Sequence, residues 1–214
     1  MYSKVFVYSL KDLYKENCLN GDENEDEISV YLWGILKKEC KKLSLKRGLE
    51  IPAPQIQTPV QDVDRAINKG VNSLNKPDFT CFRFNTPEGE SVGLHIECKK
   101  LGKPSSFGWK YNENYVTKGI MRFDSKKHQY GMNVVSGMMI GYIVSMLPKD
   151  ILKEVNESQS NFLNGYSALK FNFLLRPVFS KQQKIVRKYV VPKNFKILHL
   201  WVDLRRGKFR GRDT

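Results

Sequence analysis

Between residues 24 and 44, apolar side chains at Ile28, Leu32, Ile35, Leu36 and Leu43 recur at helical spacing and predict a helix. The acidic run DENEDE at 22–27 opens it, where negative charge suits the helix dipole. Residues 50–62 (EIPAPQIQTPVQD) hold three prolines and predict an extended connector. The polar stretch 62–76 reads as a short helix or a loop. Apolar runs at 78–85 and 92–99 predict two strands joined by the turn NTPEGES. A loop rich in glycine and lysine, LGKPSSFGWKYNEN, leads to a predicted helix at 113–127, in which Tyr115, Val116, Ile120 and Phe123 keep helical spacing. The stretch 132–147 (MNVVSGMMIGYIVSML) is apolar nearly all round and predicts a second helix, buried against a sheet. Runs at 168–175 (ALKFNFLL) and 195–204 (FKILHLWVDL) are β-rich, and RRGKFRGRDT at 205–214 reads as a flexible basic tail. The order helix, strands, helices, strands predicts one α/β (α+β) domain over residues 1–204, with a central mixed β-sheet flanked by helices.

Alternation within the second strand brings chemistry into view. Residues two apart on a strand share a face, so in LHIECKK the side chains of His95, Glu97 and Lys99 line one side and Leu94, Ile96 and Cys98 the other. Asp78 opens the preceding strand straight after Pro77. Antiparallel pairing through NTPEGES sets the start of the first strand against the end of the second, and Asp78 beside Glu97 and Lys99. Charges in strands that otherwise read as buried are expensive unless paired. Two carboxylates and an ammonium at one sheet edge suit magnesium, which takes oxygen ligands and keeps several waters. Asp78 and Glu97 would supply carboxylates and Cys98 its backbone carbonyl. Lys99 would orient a water or stabilise charge on a phosphate. The plainer alternative is a turn-capping Asp78 and a same-face Glu97–Lys99 ion pair worth tenths of a kcal/mol.

Charge makes a polyanion the natural partner. Thirty-six Lys and Arg against 22 Asp and Glu give +14 and a pI near 9.6, which points to nucleic acid ahead of a membrane surface. From Arg176 onward 12 Lys or Arg face only Asp203 and Asp213, so this run is either a non-specific backbone contact or solvated charge. No apolar run reaches the roughly 18 residues of a membrane span, and charges interrupt the apolar N-terminus; a cytoplasmic protein is expected. Cys18, Cys40, Cys81 and Cys98 are scattered without a CxxC pair, which argues for free thiols over zinc or disulfides.

Pro77-Asp78, eighteen intervening residues and Glu97-Cys98-Lys99 resemble the motif of the PD-(D/E)xK nuclease superfamily, which includes restriction endonucleases, junction resolvases and repair nucleases. The flanking pattern over 24–204 resembles the superfamily's α-β-β-α-β layout, implying a restriction-endonuclease-like fold. The resemblance implies an endonuclease that hydrolyses DNA phosphodiesters with Mg²⁺, or Mn²⁺ in its place, in a restriction or anti-phage setting. Asp78, Glu97 and the Cys98 carbonyl would be the metal ligands, and Lys99 would complete the catalytic set. Relatives often add an acidic residue from the preceding helix; Glu25 shares the face of Ile28 and Leu32, whereas Asp26 and Glu27 do not. A basic helix after the ExK strand is another such trait, and here Lys118, Arg122, Lys126 and Lys127, with Lys100 and Lys103 before them, are candidate DNA contacts. Arg122 could instead form a salt bridge, and Trp109 and Tyr111 could stack on a base or pack at the loop root. The resemblance also implies double-stranded DNA as the partner, with a homodimer or a separate partner subunit compatible with it. Two rival readings remain: a catalytically silent nucleic-acid-binding subunit, and a nuclease acting on RNA or branched DNA.

Overall fold

The computed structural model describes residues 1–16, 19, 23–58, 75–86, 89–105, 107–174 and 176–205. The chain opens with α1 (Tyr2–Lys15), whose buried side chains Val5, Phe6, Leu10 and Leu13 make one apolar stripe. A second helix, α2 (Glu25–Arg47), buries Ile28, Leu32, Ile35, Leu36 and Cys40. Its start is a capping box: the Asn24 side chain accepts from Glu27 N at 2.9 Å and the Glu27 carboxylate from Asn24 N at 2.8 Å. Gly48 closes it in the left-handed conformation, φ 62°.

Among the described residues six strands follow, interleaved with two further helices. They are β1 (Gln55–Ile56), β2 (Phe79–Thr86), β3 (Gly89–Leu101), β4 (Ser136–Ile143), β5 (Val178–Val186) and β6 (Asn194–Asp203). Helix α3 (Tyr111–Thr117) and a 3₁₀ turn (Ile120–Asp124) lie between β3 and β4, and α4 (Pro148–Phe162) follows β4. The sheet order is β1-β2-β3-β4-β6-β5. Strands β3, β4 and β6 run parallel; β1 and β2 on one flank and β5 on the other are antiparallel to their neighbours. The mixed sheet flanked by helices is thus the α+β architecture expected. One face packs Ile96, Cys98, Met138, Ile140 and Leu200 beneath α1 and α2. The other packs Leu101, Met139, Ile143, Ile197 and Trp201 against α3, the 3₁₀ turn and α4.

Three expectations need correcting. Residues 132–147 are not a helix: they contain β4, the central strand, parallel to both neighbours and buried on both faces. A strand apolar on both faces loses the period-2 signal and resembles a buried helix. Its glycines admit neighbouring rings: a Cβ on Gly137 would overlap Phe123 Cε1, and one on Gly141 would come 2.6 Å from Trp201 Cδ1. The helix expected at 113–127 is split by Gly119, where a Cβ would meet Met139 Cε at 2.5 Å, although Tyr115, Val116, Ile120 and Phe123 are all buried. Residues 168–174 join no ladder; Phe171 lies on Trp201, centroids 4.4 Å apart, and Phe173 on Phe179. The strand comes later, as β5, paired with β6 from Val178↔Val202 to Val186↔Asn194.

Residues 59–74 fall outside the described residues, as do Cys18 and 206–214 of the basic tail. Arg205, assigned above to that tail, belongs to the folded body: it is buried, and its guanidinium meets both Asp203 oxygens at 2.8 and 2.7 Å. Cys40, Cys81 and Cys98 are buried free thiols. Among the described residues no helix is long and apolar enough to cross a membrane.

Candidate active site

The site forms where the sheet is incomplete. Strand β2 begins at Phe79, opposite Ile96, while β3 continues to Leu101 with only β4 beside it. Alternate N–H groups of a strand point the same way, so those of Cys98 and Lys100 face the side where β2 has run out. Carboxylates take the place of the missing strand. Cys98 N donates to Asp78 Oδ2 at 2.6 Å, and Lys100 N donates to Glu25 Oε2 at 3.0 Å. Asp78 is held there by the residue after it entering β2, and Glu25 by the capping box just before it.

Lys99 fills the notch. Its ammonium donates to Glu25 Oε1 at 2.6 Å and to the Cys98 carbonyl at 2.6 Å, and it pairs with Glu97 Oε1 at 2.8 Å. Arg122, arriving from the 3₁₀ turn packed on the same face of the sheet as Glu97, donates through Nη1 to the same Glu97 oxygen. Glu97 is completely buried, and while Oε1 takes both cations, Oε2 has no hydrogen-bond partner. A buried carboxylate oxygen without a partner is costly and marks a position built for something else.

The electrostatics follow from three carboxylates facing two cations in a dry notch. Burial first, and then the charge of Glu97, push the Asp78 carboxyl up to about 8, against the pull of Lys99 and the Cys98 N–H. Burial also raises Glu97, opposed by Lys99 and Arg122. Although burial works against them, Lys99 and Arg122 are held above their usual values by Glu97, with Glu25 and Asp78 adding to the effect on Lys99. Asp78, Glu97 and the Cys98 carbonyl are the oxygens that could hold a metal. Lys99 sits on two of these three groups, and Glu25 is the remaining carboxylate within its reach. Among the described residues, no group of three or more His, Cys, Asp and Glu side chains has the arrangement of a metal cage. A magnesium ion held by two carboxylates, a carbonyl and waters needs no such cage.

The basic candidates divide. Arg122, considered above as a phosphate contact or a salt bridge, is turned inward onto Glu97. Lys100 donates to the Glu23 carbonyl at 2.9 Å and lies 5.4 Å from the Tyr111 ring, so it closes the notch from outside. Lys103, Lys118, Lys126 and Lys127 are exposed, with Lys118 over the Trp109 ring at 3.7 Å and Lys126 5.3 Å from the Tyr189 ring. His95 shares the face of Glu97, but its Nδ1 accepts from Gly131 N at 2.9 Å, and burial lowers it to about 4. It is a neutral brace. His199, lowered by burial to about 3, is held between Tyr115 Oη and Gln183 in the second core.

One supporting residue escaped sequence reasoning. Arg187 is buried and donates to the carbonyls of Phe123, Tyr130, Gly131 and Pro192, which fixes the loop carrying Arg122 and the Gly131 N–H. Burial pulls it down to about 10. Nothing in its local sequence, one cation in a basic run, distinguishes it from solvated charge. A groove of about 1220 Å³ between the start of α1 and the first residues of β4 and β6 contains none of these residues. Comparison of the chain with family models, with curated proteins and with solved structures finds no match in any of the three.

Proposed function

We propose that this chain is a metal-dependent endonuclease of the PD-(D/E)xK type, acting on DNA in a restriction or anti-phage setting. The observation that carries this reading is the notch itself. Asp78, Glu97 and Lys99 converge at the end of the β2–β3 ladder with one Glu97 oxygen buried and unpartnered. An oxygen left open in this way suits a group built to take a further ligand. Asp78, Glu97 and the Cys98 carbonyl would hold Mg²⁺, with Mn²⁺ able to substitute. When bound, the ion supplies a water acidic enough to attack at neutral pH and positive charge against the scissile phosphate.

The chain's own residues do the rest. Against the effect of burial, Glu97, Glu25 and Asp78 hold Lys99 above its usual value, so it would serve as a donor and a positive charge that orients the water and steadies the phosphate oxygens. Glu25 fixes the Lys99 ammonium and the Lys100 backbone in one grip, and Arg122 fixes the rotamer of Glu97. Exposed Lys103, Lys118, Lys126 and Lys127 give affinity for the backbone.

A second reading has its own observation. Lys99 is seated on Glu25, Glu97 and the Cys98 carbonyl, an ion cluster closed on itself, as a silent nucleic-acid-binding module would have. Cleavage of supercoiled plasmid with Mg²⁺ or Mn²⁺ decides between them. The enzyme reading expects metal-dependent nicking that falls by about 100-fold or more in Lys99→Ala while DNA binding persists. Binding without cleavage by either protein overturns it in favour of the silent module. Equal cleavage by both rejects the site.

A further inference from the structure

Between the last residue of β3 and the start of α3 the chain builds a closed turn. Ser105 N donates to Trp109 O at 3.1 Å, Gly108 N to Ser105 O at 2.9 Å, and Trp109 N to Ser105 Oγ at 3.1 Å. Gly108 takes φ +73°, which a side chain would resist, so the turn depends on glycine there. The root is pinned as firmly: Gly102 N donates to Asn112 Oδ1 at 2.9 Å and Lys103 N to Ser145 Oγ at 2.9 Å. The turn carries Phe107, 96% exposed, and Trp109, 51% exposed.

A single exposed aromatic is ordinary; two on a hydrogen-bonded turn in this setting are not. Residues 102–112 contain no acid and three aromatic rings, and Lys103 and Lys110 belong to the turn. Lys118 covers one face of Trp109 at 3.7 Å, and Lys100 joins the root of the turn to the notch through Tyr111. The turn therefore leaves the sheet two residues after Lys99 and stands at the rim of the candidate site. A protein partner for an exposed phenyl ring would be met by further aliphatic side chains. Here the turn that carries the ring is composed of lysine, serine and glycine besides its aromatic residues and Pro104. Flat apolar faces attached to a polyanion fit this chemistry, and unpaired nucleotide bases are such faces.

We propose that Phe107, backed by Trp109, stacks on an unpaired base beside the scissile phosphate. The substrate class is then DNA carrying unpaired nucleotides, such as an overhang, flap or bubble, in preference to intact duplex. This rests on the nuclease reading for the word "scissile", but not for the stacking itself. Base stacking on an aromatic side chain contributes about 1–3 kcal/mol, so a preference of about tenfold is expected.

The test is fluorescence anisotropy in EDTA with two probes, a fully paired duplex and the same duplex bearing a short overhang labelled with 2-aminopurine. Wild type should bind the overhang duplex about tenfold more tightly and quench the 2-aminopurine. Phe107→Ala should lose the preference and the quenching yet keep its affinity for paired duplex, and Phe107→Trp should retain both. The exposure of Phe107 makes the alanine variant a benign one for folding. Equal affinity of wild type for both probes overturns the proposal, as does an equal loss on both in Phe107→Ala. A variant with unchanged DNA affinities but altered sedimentation also overturns it, by assigning the ring to a protein contact. Failure of the nuclease reading looks different: Phe107-dependent quenching would persist while neither metal supports cleavage.

Discussion

Asp78 accepts one main-chain N–H and otherwise faces charge it cannot match, which is why its carboxyl is pushed up to about 8. An unfolded Asp titrates near 3.9, so its folded value is the higher one. Its contribution to stability is then present in full below about pH 4 and is lost as pH rises through about 8. Melting curves in EDTA should show this decline, and Asp78→Asn should flatten it and melt higher than wild type at pH 8. A divalent ion bound here would have to displace the proton, so its affinity should climb over the same interval. The buried histidines act in the opposite sense. With folded values near 4 and 3 against about 6.5 unfolded, His95 and His199 contribute stability above pH 6.5 that is lost as pH falls through 4. Acid melts of wild type and His199→Gln should diverge in slope between those limits. Much of the notch could be read from the sequence, because strand alternation puts Glu97 and Lys99 on one face and the helical wheel selects Glu25. The inward turn of Arg122 could not, since its partner Glu97 is 25 residues away in sequence and only tertiary packing of the 3₁₀ turn on β3 brings the two together. Arg187 could not either, because its partners are carbonyls, which no side-chain pattern records.

Helix α2 announced itself by its apolar spacing and its acidic first turn, and β2, β3 and β6 by short runs rich in β-formers, whereas the helices α1 and α4 were not foreseen. Strand β4 is buried on both faces, so its pattern is uniform and does not tell a strand from a buried helix. Strand β5 failed for the opposite reason, since its exposed Ser180, Lys181, Gln182 and Lys184 break the apolar run. Two glycines test this account by urea unfolding. Gly137→Ala should destabilise by about 1–3 kcal/mol because its Cβ would overlap the Phe123 ring. Gly34→Ala, in α2 with nothing within 4 Å, should stabilise by about 0.5–1 kcal/mol. Asn24→Ala should cost about 1 kcal/mol through loss of the cap, and should also weaken the grip of Glu25 on Lys99.

Over the whole molecule, the surplus of +14 is the property most plainly legible in the sequence, and it makes a prediction of its own. Lys126→Ala and Lys127→Ala should weaken binding to all DNA sequences alike, each lowering the slope of log affinity against log salt by about one. The sheet order was not legible, because parallel neighbours are joined through distant crossovers that leave no local trace. That order governs when the protein can fold during its own synthesis. The central strand β4, apolar at nearly every position, has β3 on one side and β6 on the other, and β6 is the last of the six described strands to be made. Until the ribosome has released residues near 203, β4 presents an unpaired apolar edge, the kind of surface that recruits other chains. A nascent chain stalled after Pro192 should therefore be cut freely by trypsin and bind a hydrophobic dye, while one extended beyond Arg205 becomes resistant in a single step. From the moment β4 is made until residues 194–203 follow it, the nascent chain depends on shielding, and β6 ends that dependence.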